Sequence, residues 1–345
     1  MELALYAPGL GYYVAGALKL GEPGDFITAP ELSPLFGATL ASQIGELLPH
    51  TGGGVMELGA GSGRLAADLL AALREQGRLP DRYLILEISP DLAQRQRETL
   101  ESRLPDLLDR VEWIDALPQA FSGVILANEV LDALPIHLLA WRREGVRERG
   151  VSLEQGAFAW SERELQPGAL QDAALAIAVQ APYLSEVSLA VPALAEALAG
   201  CLERGALLFI DYGFGRGEYY HPHRMQGTLM CHYRHRAHGD PFFLPGLQDI
   251  TAHVDFTAVA EAGIDAGLKL LGYTTQAQFL VNAGITRLLE KRSPERPGAY
   301  LPAVAAVQKL LSPAEMGELF KVIALGRGVE VAMSGFAAGD KSRLL

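Results

Sequence analysis

No stretch of this chain limits the possible folds as strongly as residues 55–65, where a short apolar run leads into three glycines at alternate positions. The residues that follow, Leu65–Leu73, have the apolar spacing of a helix. The pattern predicts a buried strand, a tight turn and a helix. Glycines let a turn pass close to a ligand that a Cβ atom would push away, and the first turn of a helix offers unpaired N–H groups to the same space. We therefore expect a nucleotide-like ligand at this turn. The residues of the turn that would hold it are Gly59, Ala60, Gly61 and Gly63.

The spacing of these glycines separates two classes of ligand. A dinucleotide-binding turn has the pattern G-x-G-x-x-G/A, in which the third small residue lets the helix pack closely on the strand. Here the third glycine comes one position early, and Arg64 stands where the small residue should be. Glu57 lies two residues before the first glycine, where a carboxylate would repel a pyrophosphate but could pair with an ammonium group. The turn therefore favours a ligand with an amino-acid head. A plain strand–helix connection is the alternative.

Composition narrows the class of protein. The chain has 345 residues, enough for one large α/β domain. Its net charge of −12 argues against a protein that tracks nucleic-acid phosphates. Cys201 and Cys231 lack the spacing of a metal site or a disulfide, which suits a reducing compartment. No uncharged apolar run is long enough to cross a bilayer, and the N-terminus lacks the layout of a signal peptide. We expect a cytoplasmic protein without membrane insertion or a nucleic-acid partner.

An acid at the end of the second predicted strand is a candidate for binding ribose. The strand ends in Glu87, about 25 residues after the glycine turn, which is near the interval expected for such an acid. Carboxylate oxygens only accept hydrogen bonds and therefore suit two vicinal hydroxyl groups. Ile88 and Ser89 follow directly and are expected to line the same site, before Pro90 opens a helix that runs through Arg103. The alternative is an ordinary surface glutamate at a strand end.

Three more predicted strands end in polar residues. Asp115, after the third strand, could accept a hydrogen bond from an adenine amino group, although a solvated loop aspartate would look the same. Asn128 ends the fourth strand and is followed closely by Glu129 and Asp132, and a fifth strand ends in Asp211. Open α/β sheets bind ligands at the carboxyl ends of their strands. We therefore expect the reaction to take place near these residues.

The remaining pattern predicts how the chain is organised. Strands and helices follow one another as in a doubly wound parallel sheet, and short β-rich runs after residue 136 predict inserted antiparallel strands. Residues 213–250 are rich in glycine, proline and histidine and are predicted to form a long loop, of the kind that often covers a binding site. We expect a single domain of residues 1–345, with a cover segment (1–50), a cofactor-binding half (51–135), an insertion (136–204) and a C-terminal half (205–345).

The histidines of the long loop and its C-terminal flank do not indicate a metal site. They have neither the H-E-x-x-H pattern nor a partner pair of cysteines, so we expect no metal. His253 with Asp255 is the one pair that could belong to a functional site.

Several distinctive stretches occur along almost the whole chain. They are YAPGLGYY at 6–13, GDFITAPE at 24–31, ELGAGSG at 57–63, NEVLDALP at 128–135, FIDYG at 209–213, GTLMCHYR at 227–234 and DITAHVDF at 249–256. Together they resemble the MidA family of S-adenosylmethionine-dependent methyltransferases, found in bacteria and mitochondria. The resemblance implies a class I, Rossmann-like α/β fold with a seven-stranded sheet, and S-adenosyl-L-methionine as the methyl donor.

The resemblance also implies an acceptor. Mitochondrial members of the family are complex I assembly factors that methylate an arginine of a complex I core subunit. The expected acceptor is therefore a protein arginine, in a subunit of a respiratory NADH dehydrogenase, and a homodimer is a further expectation. Family chains usually carry another helical segment before the position of Met1, so this N-terminus is expected to be shortened.

An arginine acceptor assigns roles to the polar cluster. A guanidinium stays protonated in proteins, so carboxylates must orient it and eventually take a proton. Glu129 and Asp132 are the candidates, with Asp211 as support, although acids near a helix N-terminus can simply complement the helix dipole. Three further residues are expected at the mouth of the cofactor or substrate site, or alternatively at the cap of the next helix: Thr28, Pro30 and Glu31.

Two other functions fit the same residues. The chain could methylate a small molecule, for which the long loop would close the pocket, or it could be a non-catalytic assembly protein that keeps the cofactor fold. A dehydrogenase is disfavoured by Arg64 and by the spacing of the glycines.

Overall fold

The computed structural model describes residues 1–14 and 28–345. The first part of the GDFITAPE stretch, before Thr28, lies outside the described residues. The helices are α1 (Glu2–Tyr6), α2 (Ala29–Leu32), α3 (Pro34–Thr51), α4 (Arg64–Glu75), α5 (Pro90–Arg103), α6 (Ala169–Ala176), α7 (Ala190–Cys201), α8 (Arg216–Tyr219), α9 (Phe256–Asp265), α10 (Gln276–Asn282), α11 (Ile285–Glu290) and α12 (Pro297–Leu311).

The strands alternate with these helices. They are β1 (Gly54–Leu58), β2 (Arg82–Leu86), β3 (Val111–Ile114), β4 (Phe121–Asn128), β5 (His137–Arg142), β6 (Gly145–Glu154), β7 (Ala157–Glu164), β8 (Tyr183–Val187), β9 (Leu202–Phe214), β10 (Met230–Tyr233), β11 (Arg236–His238), β12 (Asp249–Thr251), β13 (Val254–Asp255), β14 (Lys269–Thr275) and β15 (Phe320–Arg327).

The central sheet has the order β14-β15-β9-β4-β1-β2-β3, with β13 joined to the end of β9. Strand β15 runs antiparallel to both of its neighbours, whereas β3, β2, β1, β4 and β9 are parallel. The chain first builds outward from β1 to β3 and then returns to the other side of β1 with β4. This reversal is a topological switch point, which opens a crevice beyond the carboxyl ends of β1 and β4. The predicted seven-stranded sheet of a Rossmann-like fold is confirmed.

Both faces of this sheet are buried. On β9, Leu208 and Ile210 join the core cluster beneath α3 and α4, whereas Leu207 and Phe209 join the cluster beneath α7 and α9. Successive side chains of a strand point to opposite faces, so a strand covered on both sides reads as a continuous apolar run. In the described parts of the chain, no helix has the length and apolar character needed to cross a membrane.

The region after β4 forms a second sheet. Strands β5 to β8 are antiparallel in the order β7-β6-β5-β8, as the β-rich runs after residue 136 predict.

The predicted long loop of residues 213–250 is wrong in part. It contains α8 and the hairpin β10–β11, and the hairpin pairs with β12 in a small sheet of order β11-β10-β12. The two residues of the hairpin turn, Arg234 and His235, both have positive φ angles, 48° and 60°. Such turns usually contain asparagine or glycine, so the sequence does not predict this hairpin turn.

Candidate active site

A cavity of about 840 Å³ opens at the carboxyl ends of β1, β2 and β4, where the glycine turn forms part of its wall. Most residues that the sequence assigns to a site line this cavity. They are Thr28, Pro30, Glu31, Glu57, Gly59, Ala60, Gly61, Glu87, Ile88, Ser89, Asn128, Glu129 and Asp132. The predicted residues outside this lining are Gly63, Asp115 and Asp211.

The glycine turn has the backbone that its sequence predicts. Gly59 and Gly61 have φ angles of 60° and 54°, in the left-handed region that glycine adopts readily. A Cβ atom at Gly59 would lie 3.2 Å from a methyl group of Val130 and would narrow the space beside the turn. Gly63 has another role. A Cβ atom there would lie 3.0 Å from the Cα atom of Gln96, so this glycine permits the close packing of α4 on α5 and does not face the cavity.

Glu57 is a buried carboxyl group at the end of β1. It accepts a hydrogen bond from the hydroxyl of Tyr83, and it lies in the wall of the cavity. Burial disfavours the charged form and raises the pKa of Glu57 to about 7. A cation that enters the cavity would restore the ionised form, so this side chain suits an ammonium group.

Glu87 is held in place by two donors. Its Oε1 accepts from the backbone N–H of Ser89 at 2.9 Å, and its Oε2 accepts from the side-chain amide of Gln96 at 2.8 Å. The same amide donates to the carbonyl of Gly61 at 3.1 Å, and the amide oxygen of Gln96 accepts from the indole of Trp113 at 3.0 Å. Gln96 therefore joins the glycine turn to the acid at the end of β2.

Sequence reasoning missed Gln96 because a glutamine in a polar helix is usually exposed. A signal was nevertheless present. The buried residues of α5 are Leu92, Gln96 and Leu100, which are spaced by four and so lie on one face of the helix.

Asp115 is a correction to the predicted site. Strand β3 ends at Ile114, and the Asp115 side chain is exposed and outside the cavity lining. The carbonyl of Ile114 instead accepts from the backbone N–H of Glu87 at 3.0 Å. The end of β3 lies level with the end of β2, where Ile114 pairs with Leu86, but the lining of the cavity gives no support to an adenine contact from Asp115.

Glu129 lines the cavity at the end of β4. Its φ angle is 53°, an uncommon conformation for a residue with a side chain and one that is often retained at functional sites. Its Oε1 accepts from the backbone N–H of Ala29 at 3.2 Å and from the side-chain amide of Asn128 at 3.1 Å. Burial, with the nearby charge of Asp132, raises the pKa of Glu129 to about 8. The group is therefore ready to ionise when a cation approaches.

Asp132 is only 6% exposed and also lines the cavity. One carboxylate oxygen, Oδ2, accepts a hydrogen bond from the hydroxyl of Tyr212. The other, Oδ1, is buried and has no hydrogen-bond partner among residues 1–14 and 28–345. Burial raises the pKa of Asp132 to about 6, and the hydrogen bond from Tyr212 opposes this effect. A buried acceptor beside a cavity can accept a hydrogen bond from a water molecule or from a donor of a bound ligand.

Asp211, predicted to support the two candidate acids, lies outside the cavity lining and contacts the backbone of the segment that carries them. Its Oδ2 accepts from the backbone N–H groups of Val130, Leu131 and Asp132, at 3.1, 2.9 and 3.3 Å. The carboxylate thereby fixes the segment that carries both candidate catalytic acids.

The N-terminal residues join the glycine turn from outside. Glu31 accepts hydrogen bonds from Ser62 and from Arg64, the latter at 2.9 Å. Thr28 stands at the N-cap position of α2 but its side chain makes no capping bond, and α3 is capped by Ser33. Glu31 therefore links α2 to the glycine turn through an ion pair in the cavity lining, and the cap of the next helix is Ser33.

Aromatic residues also line the cavity, and of these only His253 was a predicted site residue. Tyr6 and Tyr13 stack with their ring centres 5.7 Å apart, and the Tyr13 hydroxyl donates to Asp249 at 2.9 Å. Other aromatic side chains of the lining are Tyr212, His232, His253 and Phe320. The contact of Tyr13 with Asp249 joins residues 236 positions apart, so no local sequence pattern could reveal it.

His253 and Asp255 do not form the predicted pair. His253 lines the cavity, whereas Asp255 caps α9, accepting from the backbone N–H groups of Thr257 and Ala258 at 3.0 and 3.4 Å. Asp255 also pairs with Arg216 at 3.3 Å. Within the described residues, no group of three or more histidine, cysteine, aspartate or glutamate side chains could hold a metal ion.

The cavity is strongly acidic. Its described lining contains no lysine or arginine, and its carboxyl groups belong to Glu2, Glu31, Glu57, Glu87, Glu129, Asp132 and Asp249. Buried carboxylates without counter-charges are unfavourable, so the arrangement suits positively charged ligands.

Comparison with known proteins gives a family. Residues 36–274 match a family model described as "Putative S-adenosyl-L-methionine-dependent methyltransferase". The zebrafish (Danio rerio) "Protein arginine methyltransferase NDUFAF7, mitochondrial" is 31% identical, and the match covers 93% of this chain and 81% of that protein. The Xenopus tropicalis protein of the same name is also 31% identical, over 93% of this chain and 80% of its own length.

A solved structure shares the architecture. A protein from Burkholderia thailandensis, crystallised with S-adenosyl-homocysteine, is 54% identical. It superposes with a TM-score of 0.96, and the match covers 100% of this chain and 90% of that protein.

Proposed function

Because the chain belongs to this family of S-adenosyl-L-methionine-dependent methyltransferases, we propose that it methylates an arginine side chain of a protein. The cofactor is S-adenosyl-L-methionine, and the described residues fit it. Gly59 leaves room where a Cβ atom would intrude, Glu57 offers a buried acid to an ammonium group, and Glu87 offers a fixed acceptor to ribose hydroxyls. When bound, the cofactor supplies a methyl group on a cationic sulfur.

The pair of Glu129 and Asp132 is the observation that carries the arginine proposal. Both carboxyl groups line the cavity, and Asp132 has a buried oxygen without a hydrogen-bond partner among the described residues. A guanidinium is planar and rich in donors, so two carboxylates can orient it. The rings of Tyr6 and Tyr212 also line this space and would pack against a flat cation.

The two acids, Asp132 and Glu129, differ in their protonation state at neutral pH. With a pKa of about 6, Asp132 is ionised at neutral pH and can attract the guanidinium, whereas Glu129, at about 8, is mostly protonated until the cation arrives. Methylation of a guanidinium nitrogen releases one proton, and either carboxylate can accept it at hydrogen-bond distance. The chain otherwise positions the acceptor and excludes water.

The names of the mitochondrial relatives support a protein acceptor. We propose a subunit of a respiratory NADH dehydrogenase as the first acceptor to test, with the subunit docking as a folded or partly folded protein.

A transfer assay tests the proposal. The purified protein is incubated with S-adenosylmethionine labelled on its methyl group and with extract of cells that lack this protein. We expect label in a protein band, and methylarginine after acid hydrolysis. Glu129→Gln should reduce this label strongly, whereas Asp115→Asn, an equal charge change outside the cavity, should not. Label confined to a small metabolite would indicate a small-molecule methyltransferase, and no label at all would favour an assembly role.

A further inference from the structure

Two consecutive residues of β9 hold the segment that carries the candidate catalytic acids. Asp211 binds the backbone of this segment, as described above, and Tyr212 binds the side chain of Asp132 through its hydroxyl. The two residues act on different parts of the same aspartate. One fixes where its backbone lies, and the other fixes how its carboxylate is turned.

The ring of Tyr212 is itself held. It packs edge-on against His253 with ring centres 5.3 Å apart and an interplanar angle of 78°. On another side it packs against Phe320, its neighbour across β9 and β15, at 5.3 Å and 68°. A ring confined by two others cannot swing its hydroxyl away without disturbing the packing of the sheet end.

We propose that Tyr212 is a positioning residue that acts through Asp132. By occupying Oδ2, the Tyr212 hydroxyl fixes the carboxylate and leaves Oδ1 for the donor that arrives with the acceptor. This inference rests on the proposed function, because it gives Asp132 a substrate to hold. Tyr212 also favours the ionised form of Asp132, since a hydrogen bond donated to a carboxylate stabilises its charge.

Loss of the Tyr212 hydroxyl should change the pKa of Asp132 in a predictable direction. In Tyr212→Phe the carboxylate loses a donor, so its pKa rises, by about one unit for one such hydrogen bond. The variant keeps the other titratable side chains around Asp132, which are Glu129, Asp211, Asp249, Tyr6, Tyr13 and His253. The acidic limb of the pH profile of kcat/KM should therefore move to higher pH by the same amount.

The matched control is Tyr183→Phe. The Tyr183 hydroxyl also donates a hydrogen bond, to the carbonyl of His221 at 3.1 Å, and Tyr183 is buried but lies outside the cavity lining. Both variants should bind S-adenosyl-homocysteine as the wild type does. We expect Tyr212→Phe alone to shift the acidic limb, so that kcat/KM falls about tenfold at pH values well below the limb and stays unchanged on the plateau. An unshifted limb in Tyr212→Phe, or an equal shift in Tyr183→Phe, would overturn the inference.

A second measurement separates this inference from the proposed function. The carboxyl 13C resonance of Asp132, assigned by its loss in Asp132→Asn, is titrated in the full-length protein without any acceptor. We expect a higher pKa in Tyr212→Phe than in the wild type, and an unchanged pKa would refute the positioning role. If the wild type methylates no arginine, the proposed function fails, yet this titration still decides what Tyr212 does. Should Tyr212→Phe not fold, Phe320→Leu loosens the same ring and should raise the pKa less.

Discussion

Replacement of Glu87 by alanine is expected to weaken the binding of S-adenosyl-homocysteine about 100-fold. The Glu87 carboxylate is fixed by Ser89 and Gln96 at 2.9 and 2.8 Å, so it is already in place when the ligand arrives. A hydrogen bond to a charged group contributes about 1.5 to 3 kcal/mol. Two hydroxyl groups at the lower value give about 3 kcal/mol. Since each 1.4 kcal/mol is a factor of about ten, the dissociation constant should rise about 100-fold.

Asp115→Ala is the matched control for this prediction. It removes the same charge from the end of the neighbouring strand, but its side chain is exposed and outside the cavity. Its dissociation constant should stay within about twofold of the wild type, since a solvent-exposed charge outside the cavity is screened by water and salt. Isothermal titration calorimetry measures both variants, and thermal unfolding without ligand checks their fold. A change below about threefold in Glu87→Ala, or equal changes in both variants, would show that this carboxylate does not hold the ribose.

Three further changes test other parts of the structure. Gln96→Leu removes one donor to Glu87, so calorimetry should show about tenfold weaker binding of S-adenosyl-homocysteine. In the wild type, the affinity for an arginine peptide should rise with pH up to about 8, where Glu129 loses its proton. Glu129→Gln should flatten this dependence. A wild-type affinity that does not change with pH would contradict the binding role of Glu129. Gly205→Ala should cost about 3 kcal/mol or more of unfolding free energy, because its Cβ would lie 1.8 Å from the carbonyl of Gly123. Gly200→Ala, with open space around the new methyl group, should be neutral or slightly stabilising in the same denaturant titration.

The central sheet could be predicted from the sequence because the patterns that mark its strands are local. Each strand is a short apolar run bounded by glycine, proline or polar residues, and α5 begins and ends where Pro90 and Arg103 predict. The glycine turn was accessible for the same reason. Its positive φ angles at Gly59 and Gly61 need glycine, so the sequence records the backbone directly.

The tyrosine contacts of the cavity lining could not be predicted from the sequence, because they join positions that are far apart in the chain. The hydrogen bond from Tyr13 to Asp249 and that from Tyr212 to Asp132 depend on the packing of the whole domain. The hairpin turn at Arg234 and His235 reaches positive φ angles without asparagine or glycine, so tertiary context overrides the local preference there.

An acid at the carboxyl end of a strand is a weaker signal than the sequence suggested. Glu87 faces the cavity, Asp115 lies on the surface beyond the edge strand, and Asp211 turns to the backbone of the neighbouring segment. The strand end fixes only the edge of the sheet at which a side chain lies. Which way it faces depends on the pleat, and whether it reaches the ligand depends on the distance of its strand from the switch point.

The acidity of the cavity links binding to stability. Burial raises the pKa of Glu57 to about 7, of Glu129 to about 8 and of Asp132 to about 6. The folded chain therefore holds these protons more tightly than the unfolded chain does, so this contribution to stability is present at low pH and declines as pH rises from about 4 to about 8. A cation in the cavity favours the ionised carboxylates and opposes that decline. Burial of these carboxyl groups thus lowers the stability of the ligand-free protein at neutral pH. The same burial makes the site selective for positively charged groups, such as an ammonium, a sulfonium and a guanidinium.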